Sequence, residues 1–171
     1  MPYAITLRLD ATLASRVEAM CRAVAAANAP LRPAYPPHLT LALYQGDIQL
    51  DRLLSSLSDV VRNWGGVPVS LAALGVFPAD GVVWAAPVVT AALLDLHARL
   101  HAALPGASSH PDYRPGAWIP HVTLWDGGEA SPANALCAIM PLWTGPIAGR
   151  ADRLELVRFH PVEMLWSRSL A

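Results

Sequence analysis

Two five-residue segments of this chain are near copies of one another, PHLTL at 37–41 and PHVTL at 120–124. Each segment places a histidine two residues before a threonine, and residues two apart on an extended strand point to the same face. His38 therefore shares a face with Thr40, and His121 shares a face with Thr123. If the fold brings the two strands together, two imidazoles and two hydroxyls line one cleft. Such groups suit acid/base chemistry on a phosphate.

The two histidines match the two proton transfers of a phosphodiester displacement. One group must deprotonate the attacking oxygen, and another, on the opposite side of phosphorus, must protonate the leaving oxygen. An unperturbed imidazole titrates near pH ~6.5, so one member of a pair can be neutral while the other is charged. The threonine hydroxyls can donate hydrogen bonds to the non-bridging oxygens, where negative charge accumulates. The symmetry of the motifs leaves open which histidine is the base.

The similarity between the two halves extends beyond the motifs. Several residues that follow the first motif recur 82 positions later, and Tyr35 is matched by Trp118 at an offset of 83. The matched pairs are Leu74 with Leu156, Phe77 with Phe159, and Trp84 with Trp166. We therefore expect a single domain, 1–171, whose two similar α+β lobes span approximately 1–85 and 82–171.

Apolar periodicity predicts the elements that must position the motifs. Helices are expected at 11–28 behind the N-cap residue Asp10, at about 50–61, at about 93–104, and from Ser131 and Pro132 onward. Strands are expected at 3–9, 38–44, 67–77, 82–88, 121–125, 152–159 and 162–169. The leucines behind each motif would pack against helices and leave the histidine face bare. The expected fold class is α+β, with two antiparallel-rich sheets facing a central cleft and helices outside.

The composition is that of a nearly neutral chain, with 12 basic and 13 acidic residues. It gives no overall electrostatic bias toward nucleic acid or membrane, so any contact with RNA must be local. No charge-free apolar stretch reaches the roughly 20 residues needed to span a bilayer. The first ten residues lack the basic region and apolar block of a signal peptide. We therefore expect a cytoplasmic protein that does not associate with membranes.

Prolines gather just before both motifs and restrict how the chain enters each motif strand. The segment 105–120 is longer than most connections in a compact domain. It is a candidate substrate-covering loop, and its Arg114 and Trp118 are candidate substrate contacts. An ordinary surface loop is the alternative.

The doubled H-x-T-x motif in a short α+β chain resembles the two-histidine (2H) phosphoesterase superfamily, in particular its 2′-5′ RNA ligase-like and cyclic phosphodiesterase branches. The resemblance rests on HLTL at 38–41, PHVTL at 120–124, and GVFP followed by VVWAAP within 75–87. It implies two lobes related by a pseudo-twofold axis and catalysis by His38 and His121, assisted by Thr40 and Thr123. It also implies that no metal or other cofactor takes part.

Further residues are candidates for the site, each with a plainer alternative. Tyr44 and Trp125 would share a face with their motif histidines and could stack on a base, although a buried aromatic is more often part of the core. Arg8 would project into the cleft and suit a phosphate, or be an ordinary exposed arginine. His97 and His101 have the i, i+4 spacing of a zinc pair, but no glutamate follows His97 and no third ligand is evident.

Three functions remain open at this point. The favoured hypothesis is a metal-independent phosphodiesterase that acts on 2′,3′-cyclic phosphates or related 2′-5′ linked ends. The others are an ATP-independent 2′-5′ RNA ligase and a nucleotide-binding module without turnover. RNA ligase-like proteins commonly carry a basic residue after the second motif, whereas Trp125 and Asp126 follow it here. A small nucleotide or a short RNA end carrying a cyclic phosphate is therefore the expected partner, bound by a monomer.

Overall fold

A computed structural model describes residues 2–28, 35–45, 49–104, 109–127, 131–159 and 161–170. The strands are β1 (Tyr3–Leu9), β2 (His38–Tyr44), β3 (Val67–Phe77), β4 (Val82–Pro87), β5 (Val122–Trp125), β6 (Ile147–Arg158) and β7 (Glu163–Ser169). The helices are α1 (Ala11–Asn28), α2 (Leu50–Val60), α3 (Ala91–Ala103) and α4 (Pro132–Ile139). Short 3₁₀ helices lie at Pro111–Tyr113 and Met140–Leu142. Within the described ranges, no helix is long and apolar enough to cross a bilayer.

Most elements begin and end within two residues of the expected positions, and β6 is the exception. It starts at Ile147 rather than at 152, because its first residues pair with β3. The sequence there contains Gly149, which is typical of a turn, but this glycine has a packing reason. A Cβ at Gly149 would lie 2.7 Å from the Leu13 Cβ and 2.9 Å from an Asp10 carboxylate oxygen. Asp10 itself caps α1 as expected, accepting from the Leu13 backbone N–H at 2.8 Å.

The strands form one antiparallel sheet in the order β2-β1-β6-β3-β4-β5, with β7 also paired to β6. One edge of β6 pairs with β1, whereas the other edge pairs first with β3 and then with β7. The antiparallel α+β class is therefore confirmed, and the two expected sheets are continuous because the long β6 belongs to both. The division into two lobes stays a prediction.

The core lies between the sheet and its helices. Alternate residues of the motif strands, Leu39 and Leu41 in β2 and Val122 and Leu124 in β5, are buried. They join a cluster that includes the apolar face of α1. Helix α1 packs against α4, and α2 packs against α3. As expected, the apolar side of each motif strand faces the core, which leaves its other side available for function.

A β-bulge interrupts each motif strand directly after its threonine. In the β1–β2 pair, Thr6 opposes Thr40 while Ile5 opposes Ala42, so Leu41 is an extra residue. The β4–β5 pair repeats this register shift, and there the extra residue is Leu124. An extra residue reverses which face every later side chain occupies.

The bulges overturn one expectation about the site. Tyr44 and Trp125 come after them and therefore do not share a face with His38 and His121. Their side chains belong to the core, with exposed fractions of 1% and 2%. The proposed stacking of these two rings on a base was therefore wrong, since strict alternation does not hold across a bulge.

Candidate active site

The imidazoles of His38 and His121 are held in the same way in both halves of the chain. The Nδ1 of His38 lies 2.7 Å from the carbonyl oxygen of Pro36, and the Nδ1 of His121 lies 2.8 Å from that of Ile119. In the neutral ring this hydrogen bond places the proton on Nδ1, which donates it to the carbonyl. The lone pair is then on Nε2, which can take up or deliver a proton.

Burial lowers the pKa of both motif histidines. The pKa of His38 falls to about 4, chiefly through burial, and the charges of His121 and Arg8 lower it further. Burial also lowers the pKa of His121. Both imidazoles are therefore neutral at pH 7 in the free protein. The motif strands β2 and β5 contact one another.

Charged and polar groups surround His38. Arg8 on β1 is directly opposite His38 in the strand register, and its guanidinium carbon lies 5.3 Å from the centre of the Tyr35 ring. The Tyr35 ring in turn meets the His38 ring edge-on, with 4.8 Å between centroids. Behind these groups is Glu155, which accepts hydrogen bonds from Tyr35 Oη and from Arg8 at 3.3 Å. Arg8 thus lies on the side of the sheet that carries His38 and is held by Glu155 rather than fully exposed.

Aromatic groups surround His121 instead. The ring of Phe77 meets the His121 ring edge-on at 5.1 Å, and Trp84 lies 6.0 Å away. An open cavity of about 500 Å³ lies beside them, and it is lined by both His121 and Thr123. The rest of its lining combines aromatic or apolar groups with three aspartates: Phe77, Val82, Tyr113, Ala117, Ile119, Asp80, Asp112 and Asp126.

The described part of the predicted covering loop, 109–120, packs against the free edge of β2. The backbone N–H of His110 donates to the Leu43 carbonyl at 2.7 Å, and the Trp118 indole N–H donates to the Thr40 carbonyl at 3.0 Å. Arg114 is exposed, and its Nε donates to the Ser109 carbonyl. Neither Arg114 nor Trp118 lines the cavity, whereas Tyr113 from the same loop does. The loop that precedes the second motif therefore supports the strand of the first.

His97 and His101 lie beneath this loop and bind backbone groups. The His97 Nε2 is 2.9 Å from the Tyr113 carbonyl oxygen, and the His101 Nε2 is 3.2 Å from that of Leu41. The His97 ring stacks on Trp118 with 4.0 Å between centroids. These contacts give both histidines a structural role at the β2 bulge. Among the described residues, no three His, Cys, Asp or Glu side chains cluster as metal ligands. His160 lies outside the described residues.

Sequence reasoning missed two residues next to His38. In the sequence, Tyr35 stands out only as the counterpart of Trp118, and Glu155 falls within a predicted strand. A signal for Glu155 does exist in the sequence, because this acid stands between the apolar residues Leu154 and Leu156 of β6. In the sheet, Glu155 pairs with Thr6 of β1. An acid between two apolar residues of a central strand needs a cationic partner, and Arg8 on the neighbouring strand is a candidate.

Comparison with known families agrees with this geometry. A family model described as the 2′-5′ RNA ligase superfamily matches residues 9–163. The chain belongs to this superfamily, and hence to the 2H phosphoesterases that the doubled motif resembles. No curated protein matches the chain.

Several solved structures share the fold over the full length of the chain. A structure described as a phosphoesterase has 20% sequence identity and a TM-score of 0.67, with 99% of this chain and 97% of that chain covered. LigT of E. coli complexed with 3′-AMP has 18% identity and a TM-score of 0.67, with coverages of 100% and 99%. TT0787 of Thermus thermophilus has 20% identity and a TM-score of 0.68, with coverages of 99% and 98%.

The buried His97 makes stability depend on pH in the acid range. Burial, helped by the charge of His101, lowers the pKa of His97 to about 4. The unfolded chain takes up a proton there below pH ~6.5 and the folded chain does not, so acidification favours unfolding. Between pH ~6.5 and about 4, this group should remove about 1.4 kcal/mol of unfolding free energy per pH unit.

Replacing His97 by Gln keeps a donor for the Tyr113 carbonyl and removes the titration. Urea unfolding at several pH values below pH ~6.5 should show that the unfolding free energy of His97→Gln falls less per pH unit than that of the wild type. If the unfolding free energy fell equally per pH unit in both proteins, the lowered pKa of His97 would not be a cause of the acid destabilisation.

Proposed function

We propose that this protein is a metal-independent phosphodiesterase that opens 2′,3′-cyclic phosphates or related 2′-5′ linked ends. The observation that carries the proposal is the matched Nδ1–carbonyl bond, which leaves the Nε2 of both His38 and His121 available for proton transfer. One imidazole takes the proton of the attacking water, and the other protonates the departing ribose oxygen. We further propose that Thr40 and Thr123 donate hydrogen bonds to the non-bridging oxygens across one shared cleft.

The surroundings of the two histidines support a small nucleotide or a short RNA end as the substrate. Arg8 offers a cation beside His38, whereas the cavity beside His121 has room and aromatic surface for a nucleoside. LigT of E. coli has been solved with 3′-AMP, and other structures of it contain NADP+ and ATP, which supports a nucleotide ligand here. Asp80, Asp112 and Asp126 would repel the further phosphates of a longer strand.

Ligation opens the same cyclic phosphate with a 5′ hydroxyl in place of water: the 5′ oxygen bonds to phosphorus, the bond from phosphorus to the 3′ oxygen breaks, and the 3′ oxygen takes up a proton. The name of the matched superfamily favours keeping ligation as the second candidate. It requires the cavity to accept a second strand end, which the three aspartates disfavour. We propose that hydrolysis by a cytoplasmic monomer is the physiological reaction. We rank a binding module without turnover below hydrolysis and ligation.

The proposal predicts turnover without metal. Protein treated with excess chelator should hydrolyse members of a panel of 2′,3′-cyclic nucleotides and 2′-5′ dinucleotides at the untreated rate, because proton transfer needs only the two imidazoles. Product should be followed by chromatography, with the same panel tested for ATP-independent joining. Loss of activity on chelation, restored by a divalent ion, would favour metal-assisted hydrolysis instead.

Substitution of the motif residues should separate proton transfer from charge stabilisation. His38→Ala or His121→Ala should lower kcat by about 10² to 10⁴, the usual scale for a lost general acid or base. Thr40→Val and Thr123→Val should cost about 10 to 10³, since a donor is lost while proton transfer survives. Thr40→Ser and Thr123→Ser are the matched controls, because they keep the hydroxyl and should retain most of the rate. Wild-type rates in both folded histidine variants would contradict the mechanism.

The pH profile of kcat/KM should be bell-shaped, with its maximum below pH ~6.5. The acid must be protonated and the base neutral, and the pKa values of both histidines are lowered. As the pH rises through the upper macroscopic pKa of the pair, the catalytic acid loses its proton. As the pH falls through the lower one, the catalytic base becomes protonated. A rate that keeps rising above pH 7 would contradict this assignment of protons.

A further inference from the structure

Glu155 is a buried acid outside the two motifs, and two of its three hydrogen-bond partners lie beside His38. Its side chain has an exposed fraction of 2%. One carboxylate oxygen accepts from Tyr35 and Arg8, and the other accepts from Ser167 at 3.4 Å. A carboxylate without water is costly unless such donors surround it. The fold must therefore gain something from placing it there.

The second half of the chain shows that the architecture itself does not require this acid. Across the sheet, Thr40, Thr6 and Glu155 stand in one row of paired residues. The matching row of the second half contains Thr123, Trp84 and Gly75. A Cβ at Gly75 would lie 2.3 Å from the Trp84 ring, so the indole fills the space that polar groups occupy in the first half. The same backbone arrangement thus forms without a carboxylate.

Two of the three donors bound to Glu155, Tyr35 and Arg8, are the groups that touch or face His38. Burial and the neighbouring carboxylate raise the pKa of Tyr35 to about 12, so its hydroxyl stays protonated and donates to Glu155. The Arg8 side chain is only 26% exposed, and its Nε is buried without a partner among the described residues. One end of the Arg8 guanidinium is thus held by Glu155, while part of the side chain stays exposed on the face that also carries His38.

We propose that Glu155 is a positioning residue that fixes Arg8 and Tyr35 beside His38 and so makes the first half of the cleft its anion-binding end. The inference rests on the proposed phosphate chemistry and adds the orientation in which the substrate binds. The phosphate binds between the two histidines with its charge toward Arg8, and the nucleoside extends into the cavity beside His121. A planar guanidinium held at one edge presents its other N–H groups to phosphate oxygens without having to be ordered on binding.

Two substitutions of Glu155 separate its geometry from its charge. Glu155→Gln removes the charge but keeps an oxygen to accept from Tyr35 and Arg8, whereas Glu155→Met removes both. Coulomb's law alone predicts that either variant binds anions more tightly, because Arg8 loses its counter-charge. Positioning predicts that only the Met variant binds them more weakly.

The probe is inorganic phosphate, titrated into the folded protein while the imidazole resonances of His38 are followed by NMR. We expect Glu155→Met to weaken phosphate binding about tenfold, and Glu155→Gln to stay within about twofold of the wild type or to bind more tightly. Ser167→Ala is the matched control, since it removes the third donor to Glu155 without touching Arg8 or Tyr35, and it should have no effect. On a substrate that is turned over, Glu155→Met should raise KM more than it lowers kcat.

A double substitution keeps the test decisive if Glu155→Met alone does not fold. The pair Arg8→Met and Glu155→Met replaces the ion pair by apolar groups and leaves no unpaired charge. If Glu155 acts through Arg8, this double variant binds phosphate as weakly as Arg8→Met and no more weakly. Wild-type affinity in Glu155→Met, an equal loss in Glu155→Gln, or additive losses in the double variant would overturn the proposal. Because phosphate binding needs no turnover, a protein that binds phosphate as expected but hydrolyses nothing would refute the proposed function and leave this inference standing.

Discussion

The bulges at Leu41 and Leu124 are the constraint on which the rest of the site depends. Before each bulge, the motif places its histidine and threonine on the side away from the core; after it, the strand contributes a large aromatic ring to the core. A strand of regular alternation would place Tyr44 and Trp125 next to the histidines and leave the core short of two of its largest side chains. The bulge therefore lets one short strand serve both purposes.

The contacts at the β2 bulge also join the two motifs. Thr40 and Leu41 belong to β2, which lies at an edge of the sheet. The Trp118 indole and the His101 imidazole bind the backbone carbonyls of these two residues. Trp118 lies three residues before His121, so the chain that leads into the second motif also completes the hydrogen bonding of the first. Damage to this contact should disturb both histidines together.

The sequence was sufficient to predict the class of fold and the bounds of most elements, because these depend on local periodicity, and the repeated motif singles out His38 and His121 as candidates. It could not predict the bulges, since Leu41 and Leu124 fit a regular apolar strand equally well and only the register with β1 and β4 reveals the extra residue. The early start of β6 was hidden for a similar reason: Gly149 is there for the close approach of α1, and a glycine in sequence favours a turn. Tyr35 and Glu155 escaped notice because they are 120 residues apart and meet only through the pairing of β1 with β6.

The two halves share a backbone arrangement but differ in the physics of their surroundings. Around His38, an arginine, a carboxylate and a phenol form a charged network, whereas aromatic rings and a cavity with aspartates surround His121. The chain as a whole is nearly neutral, so long-range attraction contributes little to the capture of an anionic substrate. Substrate recognition must then come from short-range contacts. Groups that are already in place make such contacts best, because ordering a side chain on binding subtracts from the free energy of binding. If a phosphate lies between the two histidines, as we propose, the repeated motifs alone would allow it two equivalent orientations. The unequal surroundings remove that equivalence, because Arg8 lies beside His38 whereas three aspartates line the cavity beside His121.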